Sequence, residues 1–149
     1  MTIQFAYFAL GCFWHAQEEF DKIKGVVKTT VGYSGGHTQN PTYSEVGSGK
    51  TRHAETIEIE FDDAVVSYEE LLNIFWRIHD PTTLNRQGAD VGTNYRSIIF
   101  YLNSEQKEIA EKSKIEAQKN FENKIVTEIV KFEKFFSAEE YHQKYYLRG

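Results

Sequence analysis

The sequence carries a single cysteine, Cys12, in the run Gly11-Cys12-Phe13-Trp14-His15. An apolar segment closed by glycine precedes it and a helical pattern starts at it, so the thiol falls at a helix N-terminus. There the helix dipole and the unpaired backbone N–H groups favour the thiolate, the form that acts as a nucleophile. A lone cysteine also serves as a small buried hydrophobe, and position by itself leaves both readings open. Glu55 is the second candidate. Strand-like alternation from Thr51 to Phe61 sets it in phase with Ile57, Ile59 and Phe61, while Thr56, Glu58 and Glu60 face the other way. A carboxyl in an apolar pocket holds its proton to higher pH and can donate it near neutrality. The alternative is a strand end where Glu55 escapes to water or meets a lysine.

Phe13 and Trp14 follow the thiol too early in the helix for both to be core, so one or both can wall a pocket for a small apolar group. Ordinary packing is the competing account. Tyr43 and Tyr95 lie in or beside glycine-rich loops, where their hydroxyls can donate to a substrate; loop tyrosines also occur without such a role. Two patterns point elsewhere. Gly32-Tyr33-Ser34-Gly35-Gly36 matches a serine-nucleophile elbow, but a loop rather than a helix follows it. His15 with Cys12 suggests an acyl-transfer dyad, yet neighbours on one helix orient a base poorly. His15 and Glu19, one turn apart, have the spacing of metal ligands or of an i,i+4 pair, and without a third placed ligand they fit a surface pair.

The elements that must position these residues read as follows. Ile3 to Leu10 is a buried strand. A helix runs from Cys12 with Ala16, Phe20 and Ile23 on one face, and Gly25 is placed to end it. Val26 to Tyr33 is a strand with Val27, Thr29, Val31 and Tyr33 in phase, and Ser34 to Lys50 is loop. After the Thr51–Phe61 strand, Ser67 and Glu70 form a capping box for a helix with Leu71, Leu72, Phe75, Ile78 and His79 on one face. His79 to Asn94 is a second loop. Ser97 to Leu102 is a strand, Asn103 with Gln106 caps a polar helix to about Phe121, and Ile125 to Val130 is a short strand. Ser137 with Glu140 repeats the capping box, predicting a terminal helix through Tyr141 and Tyr145. Two helices interrupting a small mixed sheet predict an α+β fold, a two-layer α/β sandwich with a ferredoxin-like core.

Composition narrows the functions. The 149 residues fit one domain, 1–149, able to bury a core without disulfide or metal. Seventeen basic against 22 acidic residues give a net charge of −5. With no basic block, neither nucleic acid nor an anionic membrane is an expected partner, even though a ferredoxin-like sheet with exposed aromatics is also how RNA-recognition domains bind single strands. One cysteine builds neither an internal disulfide nor a cysteine-rich zinc site, and a free thiol suits a reducing compartment. The apolar opening segment lacks the basic start of a signal peptide and is too short to span a membrane. A cytoplasmic monomer is the expectation.

The ordered set GCFWH (11–15), GYSGG (32–36), NPTYSEV (40–46), HAETIEIEF (53–61), FWRIHDPT (75–82) and DVGTNYRSIIF (90–100) resembles the A-type peptide methionine sulfoxide reductases, from about residue 3 to about residue 146. The resemblance implies an enzyme with a ferredoxin-like core, specific for the S epimer of methionine sulfoxide, free or in oxidised proteins. It implies Cys12 as the nucleophile on the sulfoxide sulfur and Glu55 as the acid on its oxygen. Tyr43 and Tyr95 would hydrogen-bond that oxygen, Phe13 and Trp14 would cradle the S-methyl group, and Asp90 would order the polar network. No bound cofactor or metal is implied. The chain departs from the family in carrying His15 where glycine is common, and Gly47 where some members have a recycling cysteine. With no second cysteine, the Cys12 sulfenic acid must be resolved by an external thiol, thioredoxin or glutaredoxin with glutathione.

Overall fold

The computed structural model describes residues 2–144. Its chain runs β1 (Ile3–Leu10), α1 (Phe13–Asp21), β2 (Val26–Ser34), α2 (Tyr43–Gly47), β3 (Ala54–Asp62) and α3 (Tyr68–Arg77). A small hairpin of β4 (Arg86–Gln87) and β5 (Asp90–Val91) comes next, with a 3-10 turn at Thr93–Tyr95. β6 (Ser97–Tyr101), α4 (Ser104–Gln118), β7 (Glu128–Lys131), β8 (Phe136–Ser137) and a 3-10 turn at Glu140–His142 complete the path.

Six strands form one mixed sheet in the order β7-β6-β1-β3-β2-β8. The inner four, β6-β1-β3-β2, are antiparallel throughout, with α1 crossing from β1 to β2 and α3 from β3 to β6. That is the ferredoxin-like arrangement expected. α4 then returns the chain so that β7 adds parallel to β6, as a crossover connection permits.

The helices cover one sheet face. Phe8, Ile57, Ile59, Phe61 and Val31 from the strands meet Phe13, Phe20, Leu71, Leu72 and Phe75 from α1 and α3, all essentially without exposure. Burial of each such side chain contributes roughly 1.5–3 kcal/mol. Ser67 caps α3 reciprocally with Glu70, as the capping box requires. The other face is not left to water. The segment after β7 lays Phe132 on Tyr7, rings stacked at 4.1 Å, and Phe135 beside it. Thr56 is therefore buried, and Glu58 accepts a 2.7 Å hydrogen bond from the Tyr7 hydroxyl instead of standing free.

Several local expectations are corrected. The 34–50 loop contains α2, whose cap is a Thr42–Glu45 capping box. The 79–94 loop contains the β4–β5 hairpin. Val27 leaves the phase of its strand because a bulge lies between Val26 and Lys28, and it is exposed. α4 stops at Gln118, and β7 begins only at Glu128. Ser137 caps no helix: it pairs with Gly32 in β8, and Glu140–His142 makes only a 3-10 turn. Tyr145, expected on that helix, lies outside the described residues. Among the described residues no helix is long and apolar enough to cross a membrane.

Candidate active site

β1 delivers the chain to Gly11 at φ +98°, and a Cβ there would lie 2.7 Å from the Gln87 side chain. Glycine thus lets the β4–β5 hairpin pack onto the residue before Cys12. Cys12 is the N-cap of α1, half-buried, and its side chain makes no capping bond. The first turn of α1 instead aims its free N–H groups into the site. Trp14 and His15 present theirs to the thiol, and Phe13 donates to Glu55 Oε1 at 3.2 Å.

Glu55 stands on β3 facing the helices, as the alternation predicts, and is 1 % exposed. Burial pushes its carboxyl up to about 7; bonds from the Phe13 N–H and the Asn94 side chain pull the other way, and the Asp90 charge adds to the rise. The thiol corrects an expectation. Burial and the neighbouring Glu55 charge push Cys12 up to about 11, outweighing the lowering by the Trp14 and His15 N–H groups. The helix terminus favours the thiolate, but a half-buried sulfur beside a carboxylate resists ionisation more.

Tyr43 opens α2, and Tyr95 ends the 3-10 turn after the hairpin. Their hydroxyls lie within hydrogen-bonding reach of each other, and burial followed by the Glu55 charge raises both above the ordinary tyrosine range. Asp90 is exposed on β5. Among the described residues its carboxylate makes no hydrogen bond, so it reaches Cys12, Glu55 and Tyr95 through its charge.

Phe13 is fully buried and Trp14 half-buried, and together with Tyr43 they make an aromatic wall. The Phe13 and Trp14 ring centroids are each 6.2 Å from that of Tyr43. His142 completes the wall and was not singled out from sequence. It lies 4.3 Å from the Tyr43 centroid and accepts a 3.1 Å bond from the Trp14 indole N–H at Nδ1. Glu139, also missed, accepts from the Tyr33 hydroxyl and the Tyr43 backbone N–H, fastening α2 to β2. Neither carries a periodic signal, since both sit in an irregular segment 96 or more residues from their partners on α1, β2 and α2. Asn94, 3 % exposed, was likewise passed over; its neighbour Gly92 was the available sign of a tight turn.

The rival patterns dissolve. Ser34 Oγ donates to the Lys134 carbonyl at 2.7 Å and precedes a loop. His15 is exposed, its ring 3.3 Å from the Ile78 carbonyl, not directed at the thiol. Glu19 pairs with Lys22 rather than His15. No group of three His, Cys, Asp or Glu able to hold a metal occurs among the described residues.

Comparison with known proteins agrees with this geometry. The model of the peptide methionine sulfoxide reductase family matches residues 4–149. The peptide methionine sulfoxide reductase MsrA of Methanosarcina acetivorans is 57% identical over 143 residues, 95% of this chain and 76% of that one. The crystal structure of Mxr1 from Saccharomyces cerevisiae in reduced form superposes with a TM-score of 0.95 at 35% identity, over 99% of this chain and 86% of the other. Mxr1 in complex with Trx2 matches with a TM-score of 0.70 at 28% identity, over 96% and 84%. With the family model matched along almost its whole length, and a relative more than half identical over nearly all of it, the chain belongs to the peptide methionine sulfoxide reductase family.

Proposed function

We propose that the chain reduces the S epimer of methionine sulfoxide, free or in oxidised proteins, with Cys12 as nucleophile and Glu55 as acid. The observation that carries this reading is the first turn of α1. One turn of backbone offers two N–H groups to the Cys12 sulfur and a third, at 3.2 Å, to a carboxyl poised at about 7. A sulfoxide oxygen leaves sulfur readily only once protonated, so a nucleophilic sulfur and a neutral acid are needed side by side.

The reactive site holds one proton on the Cys12–Glu55 pair. With that proton on Glu55, the carboxylate charge that disfavours ionisation of Cys12 is gone, and the thiolate is held by the Trp14 and His15 N–H groups. Cys12 sulfur attacks the sulfoxide sulfur while Glu55 protonates the oxygen, with the Tyr43 and Tyr95 hydroxyls bonding to it. The sulfur–oxygen bond of the substrate breaks and one forms at Cys12. The substrate sulfur gains two electrons, and Cys12 loses two to become a sulfenic acid. Phe13 and Trp14 wall the S-methyl group, and the Asp90 charge helps both Glu55 and Cys12 keep a proton. An external thiol then attacks the sulfenic sulfur, releasing water, and a second thiol frees Cys12. Thioredoxin or glutaredoxin with glutathione fills this role; the match to Mxr1 bound to Trx2 supports the former. The residues 1–149 act as one domain and as a monomer, in a reducing, cytoplasmic compartment.

The test is a single turnover with S- and R-methionine sulfoxide and no reductant. One methionine per chain from the S epimer alone, with one oxygen gained at Cys12, is expected. Glu55→Gln should slow that turnover about 10²–10⁴-fold, the range for a general acid. Product beyond one equivalent refutes external recycling, and no product from either epimer refutes the assignment.

A further inference from the structure

Glu55 is held by two donors that never titrate. One is the Phe13 N–H, 3.2 Å from Oε1; the other is the Asn94 side chain. The first comes with the helix that carries Cys12. The second depends on the turn after the hairpin and has a construction of its own.

Asn94 is 3 % exposed, and an amide so deeply buried needs partners for both its ends. Its oxygen end lies close beneath Gly92. That residue lies at φ +146°, a conformation L side chains rarely adopt, and a Cβ on it would stand 2.6 Å from Asn94 Oδ1. Only glycine leaves room for the side chain to tuck back under its own turn. The turn is pinned at both ends: the Gly92 N–H donates to the Asn85 carbonyl at 2.9 Å, and the Tyr95 N–H to the Gly92 carbonyl at 3.1 Å. With Oδ1 beneath Gly92, the planar amide turns its Nδ2 donors the other way, toward Glu55. The same turn presents the Tyr95 hydroxyl to Tyr43.

We infer that Asn94 is a positioning residue: anchored beneath Gly92, its amide holds the Glu55 carboxyl against the first turn of α1 and sets how the site's one transferable proton is divided between Glu55 and Cys12. This rests on the reading of Glu55 as the acid. An amide donor stabilises the carboxylate more than its protonated form. Asn94 therefore opposes the effect of burial and keeps Glu55 able to release its proton near neutrality. Without it, the carboxyl keeps its proton to higher pH, and the pair takes up its second, inhibitory proton sooner as pH falls.

The test is the pH profile of kcat/KM, which reports the free enzyme, for wild type, Asn94→Ala, Asn94→Asp, Gly92→Ala and Glu55→Gln. In the wild type the acid-side fall should centre on about 7, leaving half the plateau value at pH 7. Loss of one donor should move that fall up by about one unit. Asn94→Ala would then hold about a tenth of its own plateau at pH 7 and match its plateau near pH 9.5. Asn94→Asp keeps the shape without the donor and adds a charge, so its profile should move at least as far. Gly92→Ala, which dislodges Asn94 without altering it, should move the profile the same way. A lowered plateau with an unmoved acid limb in all three variants overturns the inference and leaves Asn94 a packing residue. Glu55→Gln separates the two levels. It should lose the limb near pH 7 altogether, and a retained limb there refutes Glu55 as the acid rather than Asn94 as its support.

Discussion

A carboxyl that keeps its proton to about 7 inside the fold, against an ordinary value of 4.5, makes the folded state pay above pH 4.5 for ionising a buried group. The sign follows from proton binding. Folded Glu55 binds its proton more tightly than unfolded Glu55, so its contribution is favourable only at low pH and is lost as pH rises from 4.5 through 7. At about 1.4 kcal/mol per unit, the full cost above pH 7 is about 3 kcal/mol, undiminished by solvent because the residue is 1 % exposed. Glu55→Gln removes the titration and keeps the shape. Its amide meets the Phe13 and Asn94 donors less well than a carboxylate, but that mismatch is independent of pH. The stability gained by the variant over wild type should therefore grow by about 2.5 kcal/mol between pH 5 and pH 8, read by urea unfolding at both values. The variant should be the more stable protein at pH 8 and the poorer enzyme. A stability difference that changes by less than about 1 kcal/mol over that interval would refute the burial of an ionisable Glu55.

His79 titrates in the opposite sense. It is buried with Nδ1 donating to the Phe75 carbonyl and Nε2 accepting from Ser97 Oγ, and burial pushes it down to about 4 from 6.5. Stability present above pH 6.5 should fall by about 3 kcal/mol toward pH 4, a slope absent from His79→Gln in the same unfolding series. As the only cysteine, Cys12 can be followed by alkylation alone: with the Glu55 charge removed, Glu55→Gln should alkylate about tenfold faster at pH 8 while reducing sulfoxide far more slowly, and equal slowing of both would refute the coupling of the two groups.

What was legible in the sequence was whatever local periodicity governs. The phase of Ile57, Ile59 and Phe61 put Glu55 on the inner face of β3, and the strand–glycine–helix order put Cys12 at the N-cap of α1, as the structure has them. The order of the ferredoxin-like elements followed from the same rules. What was not legible depended on segments that carry no period. His142 and Glu139 join the site from the irregular stretch after β7, and Asn94 from a turn in which a Cβ on Gly92 would stand 2.6 Å from its Oδ1. The thiol is the instructive failure. A helix N-terminus is a local feature and argues for a lowered Cys12; burial, and a charge brought from 43 residues away on β3, are tertiary and prevail. The two effects are nonetheless of one design. On the proposed reading of Cys12 as nucleophile and Glu55 as acid, a proton on Glu55 removes the charge that opposes the thiolate and leaves the helix-end N–H groups to hold it.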